Sequence, residues 1–124
     1  MLDKNAKILI VDDSRVVRMA MKKLLSNLEY SNFLEAGDGT EAVEKYESEN
    51  PDLIIMDIIM PNMNGDEALA KIREKDQNTP VIILSSFAKE SKVDTCRKLG
   101  ITEFVTKPFS PEKTDQMEKI LAAI

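Results

Sequence analysis

Apolar positions change their period repeatedly along the chain. Ile8 to Val11 is a short, wholly apolar run. Val17, Met21, Leu24 and Leu28 then recur at steps of four, three and four, which is one face of a helix. Phe33 and Leu34 mark a second short strand, and Ala42, Val43 and Tyr46 a second amphipathic helix. Leu53 to Met56 is the next apolar run, followed by a helix carrying Ala68, Leu69 and Ile72. Val81 to Leu84 is the fourth run, and Val93, Cys96 and Leu99 stripe the helix after it. Phe104 and Val105 make a short fifth strand, and Met117, Ile120, Leu121 and Ile124 a final helix.

Five strands thus alternate with five helices. Strands joined through helices must be parallel, because a parallel crossover needs about a dozen residues. Helices then cover both faces of the sheet, and doubly buried strands read as unbroken apolar runs. Runs one, three and four are apolar over four residues each, whereas two and five are broken by Glu35 and Thr106. The first group belongs in the middle and the second at the edges, which the order 2-1-3-4-5 satisfies. The expected fold class is α/β, a (βα)5 doubly wound parallel five-stranded sheet in that order. In such sheets the site lies at the carboxyl ends of the strands, where the winding reverses, here between strands one and three.

Composition narrows the chemistry. With 124 residues, 43% hydrophobic and 31% charged, the chain reads as one soluble domain over residues 1–124. There are 17 Lys and Arg against 22 Asp and Glu, a net charge of -5. An acidic surface repels nucleic acid and anionic membranes, so neither is an expected partner. No apolar run approaches the roughly 20 residues that span a bilayer. Met1 to Lys7 is polar and carries no signal-like apolar segment, so a cytoplasmic location is expected. The single cysteine, Cys96, excludes an internal disulfide, and the absence of histidine excludes a Ser-His-Asp triad, a Cys-His pair and a His-ligated zinc. Chemistry must rest on carboxylates, hydroxyls and lysines.

Those residue types gather at the strand ends. Strand one runs into Asp12-Asp13, strand three into Asp57, strand four into Ser85-Ser86 and strand five into Thr106-Lys107-Pro108. Two carboxylates at about 5 Å repel by on the order of 3 kcal/mol at an effective dielectric near 20. Such a cluster calls for a cation or a raised pKa. Oxygen ligands alone select a hard ion, Mg²⁺ in the cell. With a hydroxyl and a lysine nearby, the parts suffice to hold a phosphoryl group during transfer. An aspartate after a strand often only caps the next helix, as Asp13 or Ser14 would for the first. Capping accounts for any one of these residues but not for five of them at four strand ends.

The segments ILIVDDS, LIIMDIIMPNMNG, VIILSS and EFVTKPF resemble the receiver domain of two-component response regulators, of the CheY-like single-domain type. The resemblance covers nearly the whole chain and implies a flavodoxin-like fold. It implies that Asp57 is the phosphoacceptor, a carboxylate nucleophile taking a phosphoryl group from a phosphohistidine of a sensor histidine kinase. It implies Mg²⁺ held by Asp12, Asp13, Asp57 and the backbone carbonyl of Ile59. Lys107, Ser85 and Ser86 would bind the phosphoryl group. Ser85 and Phe104 would form the switch, read by a downstream protein on the face of helix four, strand five and helix five. Pro61 and Gly65 match the loop after the acceptor, and Lys107-Pro108 resembles a bond often cis in the family. The implied protein is a monomer, not an enzyme in the ordinary sense, that assists its own phosphorylation and dephosphorylation. Its pathway would be chemotaxis, with a phosphorelay intermediate or phosphate sink as alternatives, and a phosphatase as a further partner.

Some positions depart from the family pattern. Phe104 replaces the common Tyr, and Ser85 lacks the methyl group of Thr. Ile59 and Phe87 are apolar where polar residues are frequent. Two apolar side chains flanking the phosphoryl group would hinder water and lengthen the phosphorylated lifetime.

Rival readings use other features. Gly37-Asp38-Gly39-Thr40-Glu41-Ala42 fits the dinucleotide-binding pattern G-x-G-x-x-A. Asp38 and Glu41 would, however, oppose a pyrophosphate at the helix N-terminus. The plainer expectation is a turn with glycine at positive φ and Asp38 or Thr40 as helix cap. A Mg²⁺-dependent phosphatase could use the same cluster, but Ile58-Ile59 leaves no general acid after Asp57. Cys96 is expected in the core. Val16 and Met19, with Arg15 and Lys22, are expected on an exposed docking patch for a kinase or phosphatase. The charge runs Glu41, Glu44, Lys45, Glu47, Glu49 and Arg73, Glu74, Lys75, Asp76 are expected to be solvated faces.

Overall fold

The computed structural model describes residues 2–85, 90–107 and 111–124. Its elements alternate as the apolar periods predict: β1 (Ile8–Val11), α1 (Arg15–Asn27), β2 (Phe33–Ala36), α2 (Gly39–Glu49), β3 (Leu53–Asp57), α3 (Gly65–Lys75), β4 (Val81–Ser85), α4 (Glu90–Leu99), β5 (Glu103–Thr106) and α5 (Pro111–Ala123). The strands form one parallel sheet in the order β2-β1-β3-β4-β5. Strands β1, β3 and β4 are buried throughout, while β2 and β5 carry exposed residues such as Glu35 and Thr106.

Successive side chains of a strand point to opposite faces, so each central strand feeds two cores. Ile8, Ile10, Leu53, Ile55, Ile82, Leu84 and Val105 meet Met21, Leu24 and Leu25 of α1, Leu28 at its C-cap, and Met117 and Leu121 of α5. Leu9, Val11, Ile54, Met56, Val81 and Ile83 meet Ala42 and Tyr46 of α2, Ala68, Leu69 and Ile72 of α3, and Val93 and Cys96 of α4. Burying each large aliphatic side chain contributes roughly 1.5–3 kcal/mol, which explains why the apolar runs prevail over local preference. Val17, expected on the core face of α1, is only half-buried, and Leu25 joins that face instead. Among the described residues no helix is long and apolar enough to cross a membrane.

Helix ends follow their local chemistry. Ser14 caps α1, its hydroxyl accepting from the Val17 amide at 3.3 Å. Asp38 caps α2 by accepting from the Glu41 amide at 2.8 Å, and the Glu41 carboxylate accepts in turn from the Gly37 amide at 2.9 Å. These two bonds place carboxylates at the α2 N-terminus, where they would oppose a pyrophosphate.

Two sequence expectations are corrected. Gly37 and Gly39 do not adopt positive φ; among the described glycines only Gly100 does, at 98°. Gly39 is required instead by close approach, since a Cβ there would collide with the carbonyl of Met63. Arg73 is also not part of a solvated face. It is buried, and its guanidinium donates to the carbonyls of Gly100, Asp76 and Thr79. A planar fork with five donors can serve three carbonyls at once, which makes burial of this charge tolerable.

Candidate functional site

Sheet register assembles the site. Val11 pairs with Met56, so Asp12 stands level with Asp57; Asp57 pairs with Leu84, and Ser85 with Thr106. The strand alternation also settles which residues share a face. Asp57 continues the series Leu53, Ile55, and Lys107 continues from Val105, both on the side of α1 and α5. One carboxylate oxygen from each of Asp12, Asp13 and Asp57 lies within 4.8 Å of the others. Asp12 and Asp57 are buried and Asp13 is exposed, so the cluster opens to solvent on one side.

Lys107 reaches into this cluster. Its Nζ donates to Asp12 Oδ2 at 2.5 Å and to Asp57 Oδ2 at 3.1 Å. Burial, the largest influence, raises the Asp57 pKa; the Lys107 charge opposes this and the Asp12 charge adds to it, leaving Asp57 above the usual carboxylate range. Burial acts to lower the Lys107 pKa, but the hydrogen bond to Asp12 and the charges of Asp57 and Asp12 outweigh it and hold the ammonium above its ordinary value. The cluster holds three carboxyl groups and this one ammonium, which bonds two of them, so a divalent cation would offset the remaining negative charge. An all-oxygen donor set open to water suits a hard ion that keeps several of its waters.

The backbone around the cluster is held at many points. Asp12 donates its amide to Ala36 at 3.1 Å, accepts on its carbonyl from Arg18 at 2.6 Å, and accepts on Oδ1 from the Ser14 amide at 2.9 Å. The Ile58 amide donates to Asp57 Oδ1 at 2.8 Å. Loop 58–64 closes when the Gly65 amide donates to the Ile58 carbonyl at 2.7 Å. A Cβ at Gly65 would collide with the Asp57 carbonyl, so only glycine lets α3 start this close to the end of β3. Pro61 lies in the same loop, exposed.

Other expected residues fall as follows. Ser85 is buried at the end of β4, and its carbonyl accepts from the Lys107 amide at 3.2 Å. Phe104 is half-buried against the α2–α4 core. Phe104 pairs with Ile83 while Ser85 pairs with Thr106, so Ser85 and Phe104 are diagonal neighbours on one sheet face. Ile59, two residues after Asp57, is 48% exposed. Ser86, Phe87 and Pro108 lie outside the described residues. On α1, Val16 is 76% and Met19 57% exposed, and Arg15 is exposed too. Lys22 is not freely available there, because it pairs with Glu35 at 2.7 Å. Cys96 is in the core, and burial raises its thiol to about 11.

Sequence reasoning missed Arg18, Asn62 and the second partner of Asp38. Arg18 lies one turn after the acid pair, a spacing that returns it to the same helix end. Asp38 was legible as a cap, but its bond to Asn62 on loop 58–64, at 2.7 Å, joins segments 24 residues apart.

The profile of the response regulator receiver domain matches residues 8–119. The chain is 39% identical over 107 residues to the chemotaxis protein CheY of Thermotoga maritima, covering 86% of this chain and 89% of that one. It resembles CheY in the CheX–CheY–BeF3–Mg²⁺ complex from Borrelia burgdorferi with a TM-score of 0.85 and 32% identity, over 95% of this chain and 87% of the other. The response regulator domain of Thermotoga maritima CheB gives a TM-score of 0.82 at 37% identity, with 96% of both chains covered.

Proposed function

This chain belongs to the response regulator receiver family, and from that premise we propose that it is a stand-alone response regulator phosphorylated on Asp57 by a sensor histidine kinase. The observation that carries this reading is the meeting of Asp12, Asp13 and Asp57 within 4.8 Å, with Lys107 bonded to two of them. The chain has no histidine, so the phosphorylated imidazole belongs to the partner. A carboxylate oxygen of Asp57 attacks phosphorus, the phosphorus–nitrogen bond breaks, and the imidazole leaves with the electron pair.

Asp12, Asp13, Asp57 and the Ile59 carbonyl would hold Mg²⁺, which when bound supplies positive charge to the transferring oxygens. Lys107 exchanges its carboxylate partners for a phosphoryl oxygen, and Ser85 and Ser86 bind the same group. Phosphorylation adds roughly -1.5 to -2 charge. Movement of Ser85 toward it frees space on the face that Phe104 shares, and Phe104 turns inward. The surface of α4, β5 and α5 then changes for a downstream protein, as the flagellar motor would be in a chemotaxis pathway. The chain works as a cytoplasmic monomer. Val16, Met19 and Arg15 offer a docking patch for the kinase or a phosphatase; the Borrelia burgdorferi neighbour is bound to CheX.

Incubation with Mg²⁺ and a small acyl phosphate should add the mass of one phosphoryl group to the wild type and none to Asp57→Asn. No gain in the wild type overturns the reading. Ile59 and Phe87 set the lifetime of the product by hindering water. Ile59→Asn and Phe87→Glu should each lose phosphate faster than the wild type; unchanged decay removes that role.

A further inference from the structure

Loop 58–64 carries the Ile59 carbonyl and connects the acceptor to α3, and its ties within its own segment are few. The Met60 amide donates to Asn64 Oδ1 at 3.1 Å and the Met63 amide to the Pro61 carbonyl at 2.7 Å. The loop's two ends are tied to their chain neighbours, Ile58 to Asp57 and Gly65 and Asn64 to Ala68; among the described residues the bonds that reach another element both go to the start of α2. Asn62 Nδ2 donates to Asp38 Oδ2 at 2.7 Å, and the Gly39 amide donates to the Met63 carbonyl at 2.9 Å. Asn62 holds a left-handed backbone, φ 64°, a conformation that costs non-glycine residues energy unless its surroundings hold it.

Asp38 is well placed to anchor that strain. It is buried, and each carboxylate oxygen has a separate duty: Oδ1 caps α2 and Oδ2 receives Asn62. Two residues earlier, the Ala36 carbonyl accepts the amide of Asp12. The segment 36–39 therefore touches both halves of the acid cluster, the end of β1 through Ala36 and loop 58–64 through Asp38 and Gly39. Neither Asp38 nor Asn62 belongs to the acid cluster itself.

We propose that the Asp38–Asn62 hydrogen bond is a brace that sets loop 58–64 against the end of β1 and so tunes the divalent-metal affinity of the acid cluster. Both are positioning residues. The proposal rests on the phosphoacceptor reading only in taking the cluster to be a metal site. Partners that orient metal ligands from behind change affinity by about 10–100-fold when removed.

The test uses Asp38→Ser, which keeps a helix cap, Asn62→Gly, which keeps the left-handed backbone and all charges, and the double variant. Mg²⁺ binding is titrated by calorimetry, and amide hydrogen exchange is followed without metal. Each single variant should bind Mg²⁺ about tenfold more weakly. The double variant should be no weaker than the worse single, because both remove the same bond. Faster exchange should be confined to loop 58–64, with core amides of β1 and β3 unchanged. Single variants within twofold of the wild type, effects that multiply in the double variant, or faster exchange through the core would overturn the brace. A wild type that binds no Mg²⁺ would instead overturn the metal-site reading, while the exchange measurement still reports on the bond.

Discussion

Lys107 Nζ sits 2.5 Å from Asp12 Oδ2, closer than to Asp57 Oδ2, at 3.1 Å. The contact joins the ends of β5 and β1 over 95 positions of sequence. Without metal the ammonium serves as the cluster's internal counter-ion, and it must yield part of that role when a divalent cation enters.

Replacing Lys107 with Met should therefore strengthen Mg²⁺ binding. A unit charge and a divalent ion about 5 Å apart repel by roughly 7 kcal/mol at an effective dielectric of 20, before solvent screening. Even a small remainder makes the variant's affinity about tenfold higher by calorimetric titration. Unchanged or weaker binding would show that the ammonium does not compete.

Asp57→Asn should stabilise the metal-free fold. Burial raises the Asp57 pKa, so between the ordinary carboxylate range and the raised value the folded chain holds a proton that the unfolded chain has released. Stability contributed by this group falls as pH rises through that window and stays diminished above it. At neutral pH the variant should melt a few degrees above the wild type. The gap should close as pH drops through the raised value, and thermal scans across pH measure both. In the same window the wild type should lose Mg²⁺ affinity on acidification, since the metal needs the carboxylate.

Gly65→Ala and Gly37→Ala should separate sharply. At Gly65 the new methyl meets the Asp57 carbonyl, which is backbone and cannot swing away. The cost should be about 1–3 kcal/mol or more in denaturant unfolding, with phosphorylation impaired because the acceptor strand shifts. At Gly37 the nearest atom is the mobile Glu41 carboxylate at 2.9 Å, and the change should fall within about 0.5 kcal/mol. Equal effects at the two positions would contradict the close-approach argument.

Arg73→Met should destabilise without touching the chemistry. The side chain fits the space, but the carbonyls of Gly100, Asp76 and Thr79 lose their donors. A loss of about 3 kcal/mol is expected as a lower denaturant midpoint with an unchanged slope. Arg73 lies at the end of α3 away from the acid cluster, so the rate of phosphorylation by acyl phosphate in native buffer should be unaltered. A slowed rate would assign Arg73 a wider role.

Much of the site was legible because a parallel sheet gathers residues that follow apolar runs. Asp12, Asp13, Asp57, Ser85 and Lys107 each follow or end such a run, and the period of two along the strands sorts them by face. Arg73 misled for the opposite reason. Nothing in the pattern Arg73, Glu74, Lys75, Asp76 distinguishes a charge turned to water from one turned inward to serve the nearby carbonyls of Asp76 and Thr79 and the distant one of Gly100. Gly37 and Gly39 misled because a glycine chosen for space and one chosen for φ are the same letter.

The order of apolar and polar residues alone determined the element sequence, the central and edge strands and the carboxyl-end location of the acids. Those follow from burial and from strand and helix periods, which are local properties of the chain. Tertiary structure alone decided that Lys107 prefers Asp12, that Asp38 holds Asn62, and that Arg73 closes the base of the sheet. Each is a contact between segments distant in sequence, whose side chains come within 3 Å or so only after register and loop path are settled.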